Sequence, residues 1–258
     1  MRVYHMSGAG NDFAVVDARG LTPEFSALAV KLCRELGADG FMALDSSDVA
    51  DFRLHFYNSD GSRGEMCGNG ARCICRFAYD RGIAGETMTV QTDAGIVYGW
   101  RLTDSQYRVR LNLPGVVDLN RRPDAAYLEL GDPGIPHSVT EVPGLDFSKK
   151  EALRQTALEL RHDPVFPKGV NVNFYDRLGE DSARILTYER GVEDYTLACG
   201  TGSASVAVAL WLKGQLPGGT LRLENQGGVL TVTVSGKDGK ADALFLEGPT
   251  QIIKEYEA

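Results

Sequence analysis

A short phrase built around a cysteine occurs twice in this chain, once in each half. The first copy is Cys67-Gly68-Asn69-Gly70 and the second is Cys199-Gly200-Thr201-Gly202, 132 positions further on (199 − 67). Other matched pairs, of which Pro114 and Pro249 come last, keep nearly the same offset, which drifts slowly in one direction. Small loop insertions in duplicated halves produce such a drift, whereas chance similarity would scatter it. Two copies therefore predict two homologous lobes rather than a solenoid of many repeats.

The length of the chain agrees with two lobes. At 258 residues it corresponds to roughly one to two domains, and each half is long enough to bury its own core. We place the first lobe at residues 1–115, with Cys67, and the second at residues 116–258, with Cys199. The last strand could return to the first lobe.

Local signals place each cysteine at the start of a helix. Both helices end in a basic residue followed by glycine, Arg81-Gly82 and Lys213-Gly214, which is typical of a C-cap. The second helix is apolar almost all round, as expected of a helix enclosed by a sheet. Thr22-Pro23 and the pair Ser148 and Glu151 predict the starts of two further helices.

Runs rich in Val, Leu, Thr and Tyr predict the strands. They cover residues 3–6, 13–17, 51–57, 88–101, 106–113, 182–188, 220–223, 229–235 and 243–247, with a polar loop at 7–12. The fold class that follows is α+β. We expect two pseudo-symmetric lobes from an internal duplication, each a curled, mostly antiparallel sheet or barrel around a central helix.

Composition excludes several classes of function. The net charge is −8 with scattered Arg and Lys, so we expect no nucleic-acid partner. There is no long apolar run, so we expect neither a signal peptide nor a membrane partner. Five cysteines without a disulfide-like framework favour a reducing, cytoplasmic location.

The cysteine phrases predict a particular chemistry. A free thiol titrates near ~8.5, and the unpaired N–H groups of a helix start lower that pKa. Flanking glycines let a carboxylate approach the same N–H groups. Two such sites on one substrate suit proton removal and return at a carbon beside a carboxylate. No lysine suggests a pyridoxal phosphate Schiff base, so we expect no cofactor.

The other cysteines carry a structural interpretation. Cys33 lies on the apolar face of its predicted helix, and Cys73 and Cys75 lie within the helix that follows Cys67. Cys67, Cys73 and Cys75 lack zinc-like spacing, so we expect no metal site.

Beyond the cysteine phrases, the chain resembles the diaminopimelate epimerase family almost end to end. The resemblance rests on residues 7–13, 58–62, 65–72, 171–174, 189–191 and 196–202. It implies a cofactor-independent isomerase that interconverts LL- and meso-2,6-diaminopimelate by two-base proton transfer, for lysine and peptidoglycan precursors. It also implies a small amino-acid substrate, and a homodimer is expected for an enzyme of this size.

The resemblance also implies roles for individual residues. Cys67 and Cys199 would be the acid/base thiols, and His137 and Glu189 would flank the reacting amine and assist them. The implied substrate-binding residues are Asn11, Asn58, Gly68, Asn69, Asn171, Glu189, Arg190, Gly200 and Thr201. From the residues alone, Glu189-Arg190 favours an exposed ion pair and His137 fits a loop equally well.

Two departures from the family pattern concern the substrate. Ile135 stands where the family commonly has an asparagine that touches the far end of the substrate, and Gly40 where some members have glutamine. A related racemase acting on another amino acid, such as histidine, therefore stays open. A thiol redox or metal-binding protein that uses Cys67 and Cys199 is the alternative from a different class.

Overall fold

The computed structural model describes residues 1–21, 24–64 and 67–257, which form two compact units. The first unit contains residues 1–110 and the chain from Glu247 onward, and the second contains Leu111–Leu246. Within the described residues each unit holds two α-helices and several strands, in agreement with the predicted α+β class. No helix in this part of the chain is long and apolar enough to cross a membrane.

The first unit is a sheet that curls around one helix. Its elements are β1 (Arg2–Gly8), β2 (Asn11–Asp17), α1 (Phe25–Leu36), β3 (Gly40–Asp45), β4 (Phe52–Asn58), α2 (Gly68–Asp80), β5 (Thr87–Thr92), β6 (Gly95–Arg101) and β7 (Gln106–Arg110). Neighbouring strands pair in sequence order, parallel for β2–β3 and β4–β5 and antiparallel for the others up to β7. Helix α2 packs against β1 and β2 as well as β6 and β7, so the sheet wraps around it.

The second unit repeats this plan. Its elements are β8 (Pro114–Arg122), β9 (Ala125–Gly131), β10 (Gly134–Glu141), α3 (Lys150–His162), β11 (Asn171–Arg177), β12 (Ser182–Glu189), β13 (Asp194–Thr196), α4 (Gly200–Leu212), β14 (Thr220–Asn225), β15 (Gly228–Lys237) and the part of β16 (Lys240–Pro249) up to Leu246. Helix α4 contacts β9, β10, β11, β14 and β15 and is buried along most of its length, as its apolar sequence predicts. The last strand, β17 (Gln251–Glu257), pairs with β1 in the first unit.

The strand pairings confirm the duplication. In the first unit β2 runs parallel to β3, β3 antiparallel to β4, and β4 parallel to β5. In the second unit β10, β11, β12 and β14 pair with the same alternation. Helices α1 and α3 occupy equivalent crossovers, and α2 and α4 occupy the next ones. The cysteine phrases therefore lie at equivalent positions of two homologous units.

The helix ends agree with the local signals, as do the starts of α2 and α4 after their N-caps, Cys67 and Cys199. Helix α2 ends at Asp80 and α4 at Leu212, and Gly82 and Gly214 follow with φ of +66° and +69°. Helix α1 begins at Phe25, and Thr22-Pro23 lies outside the described residues.

The predicted capping box at the start of α3 is wrong. The carboxylate of Asp146 accepts hydrogen bonds from the backbone N–H and hydroxyl of Ser148, and caps a short 3₁₀ turn before the helix. Glu151 instead pairs with Arg154 at 2.9 Å. Ser148 therefore lies inside the turn that Asp146 caps, and its hydroxyl is bound to Asp146 rather than to the start of α3.

Several strand bounds also needed correction. The run 88–101 divides into β5 and β6 around Gly95, whose φ of +106° permits the turn. The polar loop at 7–12 shrinks to a turn at Ala9 and Gly10, because β1 and β2 extend on either side. Strands β3, β8–β11, β13 and β17 were not predicted.

Candidate functional site

Cys67 is the N-cap of α2, and its thiol lies beside Asn11. The sulfur donates to Asn11 Oδ1 at 3.6 Å, while the Asn11 amide group donates to Asp39 Oδ2 at 2.5 Å. Asp39 also accepts the backbone N–H of Asp12 at 2.8 Å. Asp39 therefore orients the Asn11 amide so that its carbonyl oxygen faces the thiol.

The first turn of α2 is held from within by a buried arginine. Arg72 is 0% exposed, and its guanidinium donates to Gly68 O at 3.2 Å and to Asn69 Oδ1 at 2.9 Å. Burial lowers the pKa of Arg72 to about 10, so the side chain remains charged at neutral pH. Arg72 lies within residues 65–72, which resemble the family, but no role was predicted for it. Its position among the core residues of a predicted helix could have indicated a buried arginine.

Asn58 lies in a turn at the end of β4. Its amide group donates to Ser62 Oγ at 2.9 Å, and Ser62 is also bound to Asp60. Asn58 is exposed, whereas Asn69 is buried. Their predicted substrate contacts remain proposals.

Cys199 is the N-cap of α4 and is held by backbone and hydroxyl groups. Its Sγ accepts the Gly202 N–H at 3.3 Å and lies 3.6 Å from Thr201 Oγ1. The residue is 8% exposed. A Cβ on Gly202 would lie 2.2 Å from Asn173 Oδ1, so only glycine fits at this turn. The helix start therefore presents N–H groups to the sulfur while packing against β11.

Asn171 ties together the segments that carry Arg190 and His137. Its Oδ1 accepts the Arg190 backbone N–H at 2.8 Å, and its Nδ2 donates to Pro136 O at 3.2 Å. Glu189 is the last residue of β12 and is partly buried. The Arg190 guanidinium is exposed and donates to Lys168 O at 2.9 Å. The second unit thus joins Asn171 to the backbone of Arg190 and to that of Pro136, the residue before His137.

His137 lies on a strand and is fully buried. It faces Asn171 in the parallel β10–β11 register, so the alternative that placed it in a loop is wrong. Burial, together with the positive charge of Arg190 as the smaller cause, lowers the pKa of His137 to about 3. The imidazole is therefore neutral over the physiological pH range.

The remaining cysteines belong to the cores of their elements. Burial raises the pKa of Cys33 to about 11 and those of Cys73 and Cys75 to about 12. These thiols stay protonated at neutral pH and serve packing. Neither Cys33 nor Cys73 nor Cys75 caps a helix.

The two departures from the family pattern differ in how much room surrounds them. Ile135 lies on β10 with 37% of its surface exposed. A Cβ at Gly40 would lie 2.8 Å from the ring of Phe56, so a longer side chain there requires Phe56 to move.

Solved structures define the class to which this fold belongs. A phenazine biosynthesis protein of the PhzF family from Bacillus anthracis superposes with a TM-score of 0.76 at 17% identity, covering 100% of this chain and 98% of that chain. A hydroxyproline epimerase from Agrobacterium vitis superposes with a TM-score of 0.70 at 16% identity, covering 100% and 90%. The chain therefore has the fold of these enzymes.

Sequence comparison assigns the family. The diaminopimelate epimerase family model matches residues 3–110 and 131–253. A diaminopimelate epimerase from Aquifex aeolicus is 35% identical over 277 aligned positions, covering 100% of this chain and 96% of the relative. One from Chlorobaculum tepidum is 36% identical over 256 positions, covering 96% and 97%. The chain belongs to the diaminopimelate epimerase family of isomerases.

Proposed function

We propose that this protein interconverts LL- and meso-2,6-diaminopimelate by proton transfer at Cα, without a cofactor. One observation carries the proposal: each unit of the duplicated fold places a cysteine, Cys67 or Cys199, at the N-cap of a buried helix that opens with glycine. Membership of the diaminopimelate epimerase family supplies the substrate.

Inversion at Cα requires a base on one face of the carbon and an acid on the other. In our proposal one cysteine, as thiolate, takes the Cα proton, and the other, as thiol, returns a proton to the opposite face. The substrate keeps its formula and each sulfur changes its protonation state by one. The direction of the reaction decides which cysteine starts as thiolate.

The helix starts would bind the α-carboxylate. The N–H groups at the starts of α2 and α4, at Gly68, Asn69, Gly200 and Thr201, carry the partial positive charge of a helix terminus. When the Cα proton leaves, negative charge moves onto the carboxylate oxygens. Donors that are already oriented stabilise that charge without reorganisation.

The distal end of the substrate would be recognised by charge and by amides. The exposed guanidinium of Arg190 can pair with the distal carboxylate as a fork, because Asn171 fixes the backbone from which it projects. Asn11 and Asn58 would hold further polar groups. Glu189 would lie beside the reacting amine.

The cellular setting follows from the same proposal. An epimerase of diaminopimelate would serve lysine and peptidoglycan precursor synthesis. Free thiols at all five cysteines suit a reducing cytoplasm. We also propose a homodimer, which light scattering of the purified protein can measure directly.

Hydrogen exchange with solvent tests the chemistry. The substrate is incubated with enzyme in deuterated water, and loss of the Cα hydrogen is followed by NMR. Cys67→Ser and Cys199→Ser should each abolish epimerisation, because a serine hydroxyl is a far weaker acid at neutral pH. Cys33→Ala, at a buried cysteine away from both helix starts, serves as the control and should retain activity. Undiminished exchange in both serine variants would refute the two-thiol mechanism.

A substrate panel tests recognition. Diaminopimelate is compared with amino acids that carry a single carboxylate, histidine among them. Arg190→Ala should strongly reduce the rate of turnover of diaminopimelate, since the distal carboxylate loses its charged partner. Preferred turnover of histidine that is insensitive to Arg190→Ala would assign the protein to a related racemase instead.

A further inference from the structure

Asn173 lies at the centre of a buried hydrogen-bond cluster in the second unit. The side chain is 0% exposed on β11, and its Nδ2 lies within hydrogen-bond distance of three polar atoms. These are Ser138 O at 2.8 Å, Asn171 O at 3.2 Å and His137 Nδ1 at 3.2 Å. Its Oδ1 accepts the hydroxyl of Thr187 at 2.9 Å.

The surroundings decide which way this amide points. Two of the three neighbours of Nδ2 are backbone carbonyl oxygens, which can only accept. Rotating the amide by 180° would place Oδ1 against both carbonyls and leave buried acceptors without donors, which is costly. The NH₂ group of Asn173 therefore faces the His137 ring.

The amide in turn decides the tautomer of His137. A nitrogen that faces an NH₂ group must present its lone pair, so Nδ1 is the unprotonated nitrogen. The neutral ring then carries its proton on Nε2. That atom is buried and has no hydrogen-bond partner among the described residues. A buried donor of this kind is available for a ligand.

The charged groups around the ring keep it neutral. The titratable groups nearby or on the elements packed against β10 are Arg190 after β12, Cys199 at the start of α4, Asp118, Arg121 and Arg122 on β8, Tyr127 and Glu129 on β9, Glu141 on β10 itself, and Tyr175, Asp176 and Arg177 on β11. Glu129 is already bound to Tyr127 and to Lys168. The one charge that acts on His137 is the positive charge of Arg190, which disfavours an imidazolium.

We propose that Asn173 is a positioning residue that holds His137 as the neutral Nε2–H tautomer, so that His137 donates a hydrogen bond in the reaction rather than acting as a general base. The proposal rests on the proposed function and deepens it. A donor at Nε2 requires an acceptor on the substrate, such as a carboxylate oxygen, and does not suit an ammonium group. It also cannot take a proton from a thiol at Nε2, because Nε2 already carries one.

Nitrogen NMR of the whole protein tests the tautomer directly. The chain has four histidines, so ring-labelled protein gives few signals, and His137→Gln assigns the relevant one. We expect a protonated Nε2, an unprotonated Nδ1 and no titration between pH 5 and pH 9. A protonated Nδ1, or titration within that range, would overturn the proposal. The measurement needs no variant of Asn173 and no substrate, so it stands apart from the outcome of the epimerase assay.

Asn173→Asp tests the causal role of the amide. A carboxylate at this place accepts from Nδ1–H, so the tautomer should invert and the ring should begin to titrate within the measured range. If epimerase activity exists in the parent protein, kcat should fall on the order of 100-fold, with a new pH dependence that follows the NMR titration. A structural role alone would lower stability without moving the tautomer, and that result would refute the proposal.

Asn225→Asp is the matched control. Asn225 is also a buried asparagine of the second unit, and its Nδ2 donates to a backbone carbonyl, Leu223 O, at 3.2 Å. Its substitution should leave the tautomer of His137 unchanged. Asn173→Leu gives a second variant if the aspartate fails to fold, and should leave both tautomers populated.

Discussion

Cys67 and Cys199 occupy the same place in two homologous units, yet their surroundings differ in kind. Each is the N-cap of a 13-residue helix. Five positions further on, α2 carries the buried Arg72 and α4 carries the buried Ala204. Arg72 braces its turn with a full charge that donates to Gly68 and Asn69. At α4 the sulfur accepts a backbone N–H from Gly202 instead.

The two units therefore share the backbone geometry of the helix start, but they differ in the groups that stabilise it. The field of a helix start belongs to the backbone and survives any side-chain change nearby. A buried guanidinium can be removed by one substitution, and its removal takes a charged donor away from two acceptors. The first unit should therefore lose stability when the Arg72 side chain is replaced. The second should lose stability when a side chain is added at Gly202, where the backbone is crowded.

Arg72→Met should produce the largest effect. Loss of the guanidinium removes the charged donor from Gly68 O and Asn69 Oδ1, and each charge-assisted bond contributes about 1.5–3 kcal/mol. We expect the free energy of unfolding to fall by about 3 kcal/mol. We also expect alkylation of Cys67 by iodoacetamide to slow while that of Cys199 is unchanged, measured site by site by mass spectrometry.

Arg72→Lys and Arg76→Met complete that experiment. The lysine keeps the charge and should restore part of the Cys67 reactivity. Arg76, on the same helix, binds Asp80 and Thr250 O and should leave Cys67 unaffected when replaced. Equal slowing at both cysteines in Arg72→Met would contradict the distinction between the units.

The first unit buries a charged side chain, Arg72, whereas the second buries a neutral imidazole, His137. The stability of the protein should therefore depend on pH through His137. The pKa of His137 falls from 6.5 to about 3 on folding. Between these two pH values the unfolded chain binds a proton at His137 and the folded chain does not. The contribution to stability is intact above pH 6.5 and is lost as pH falls toward 3, by about 1.4 kcal/mol per pH unit.

Denaturant unfolding measured from pH 7 to pH 5 isolates this effect from the carboxylates. His137→Gln should flatten the slope over that range. His162→Gln, at an exposed histidine of the same unit, is the control and should not change it. An unchanged slope in His137→Gln would show that the imidazole titrates normally in the folded protein.

Alanine at the third position after each cysteine, Gly70 or Gly202, should change the stability of the protein by different amounts, although the difference is smaller than the effects above. A Cβ at Gly202 would lie 2.2 Å from Asn173 Oδ1, so Gly202→Ala should destabilise by about 1–3 kcal/mol. A Cβ at Gly70 would lie 3.1 Å from the flexible Met42 Sδ, and alanine favours a helix by about 1 kcal/mol over glycine. Gly70→Ala should therefore be close to neutral. Thermal unfolding of the pair checks this, and equal losses would contradict it.

Local signals were sufficient wherever the relevant groups lie close in the chain. The helix starts at Cys67 and Cys199 and the ends before Gly82 and Gly214 depend on backbone groups within a few residues. The start of α3 shows the limit even of that rule. Ser148 was predicted to cap α3, but its backbone N–H and its hydroxyl are bound by Asp146, two residues earlier.

Contacts that depend on neighbouring strands were not predicted. Asn173 meets Ser138, His137 and Thr187 only because β10, β11 and β12 pair side by side. His137 lies in a stretch with glycine and proline that suggested a loop, yet strand pairing on both sides buries it.

The sequence by itself determined the duplication, the two cysteine helix starts and the family, because these depend on order along the chain. Only the tertiary structure decided how each start is held: Arg72 bracing one from inside its own helix, and Asn173 crowding Gly202 at the other while orienting His137. The physical reason is burial. Away from water, every polar group must find its partner nearby, and which groups are nearby is set by strand pairing rather than by sequence distance.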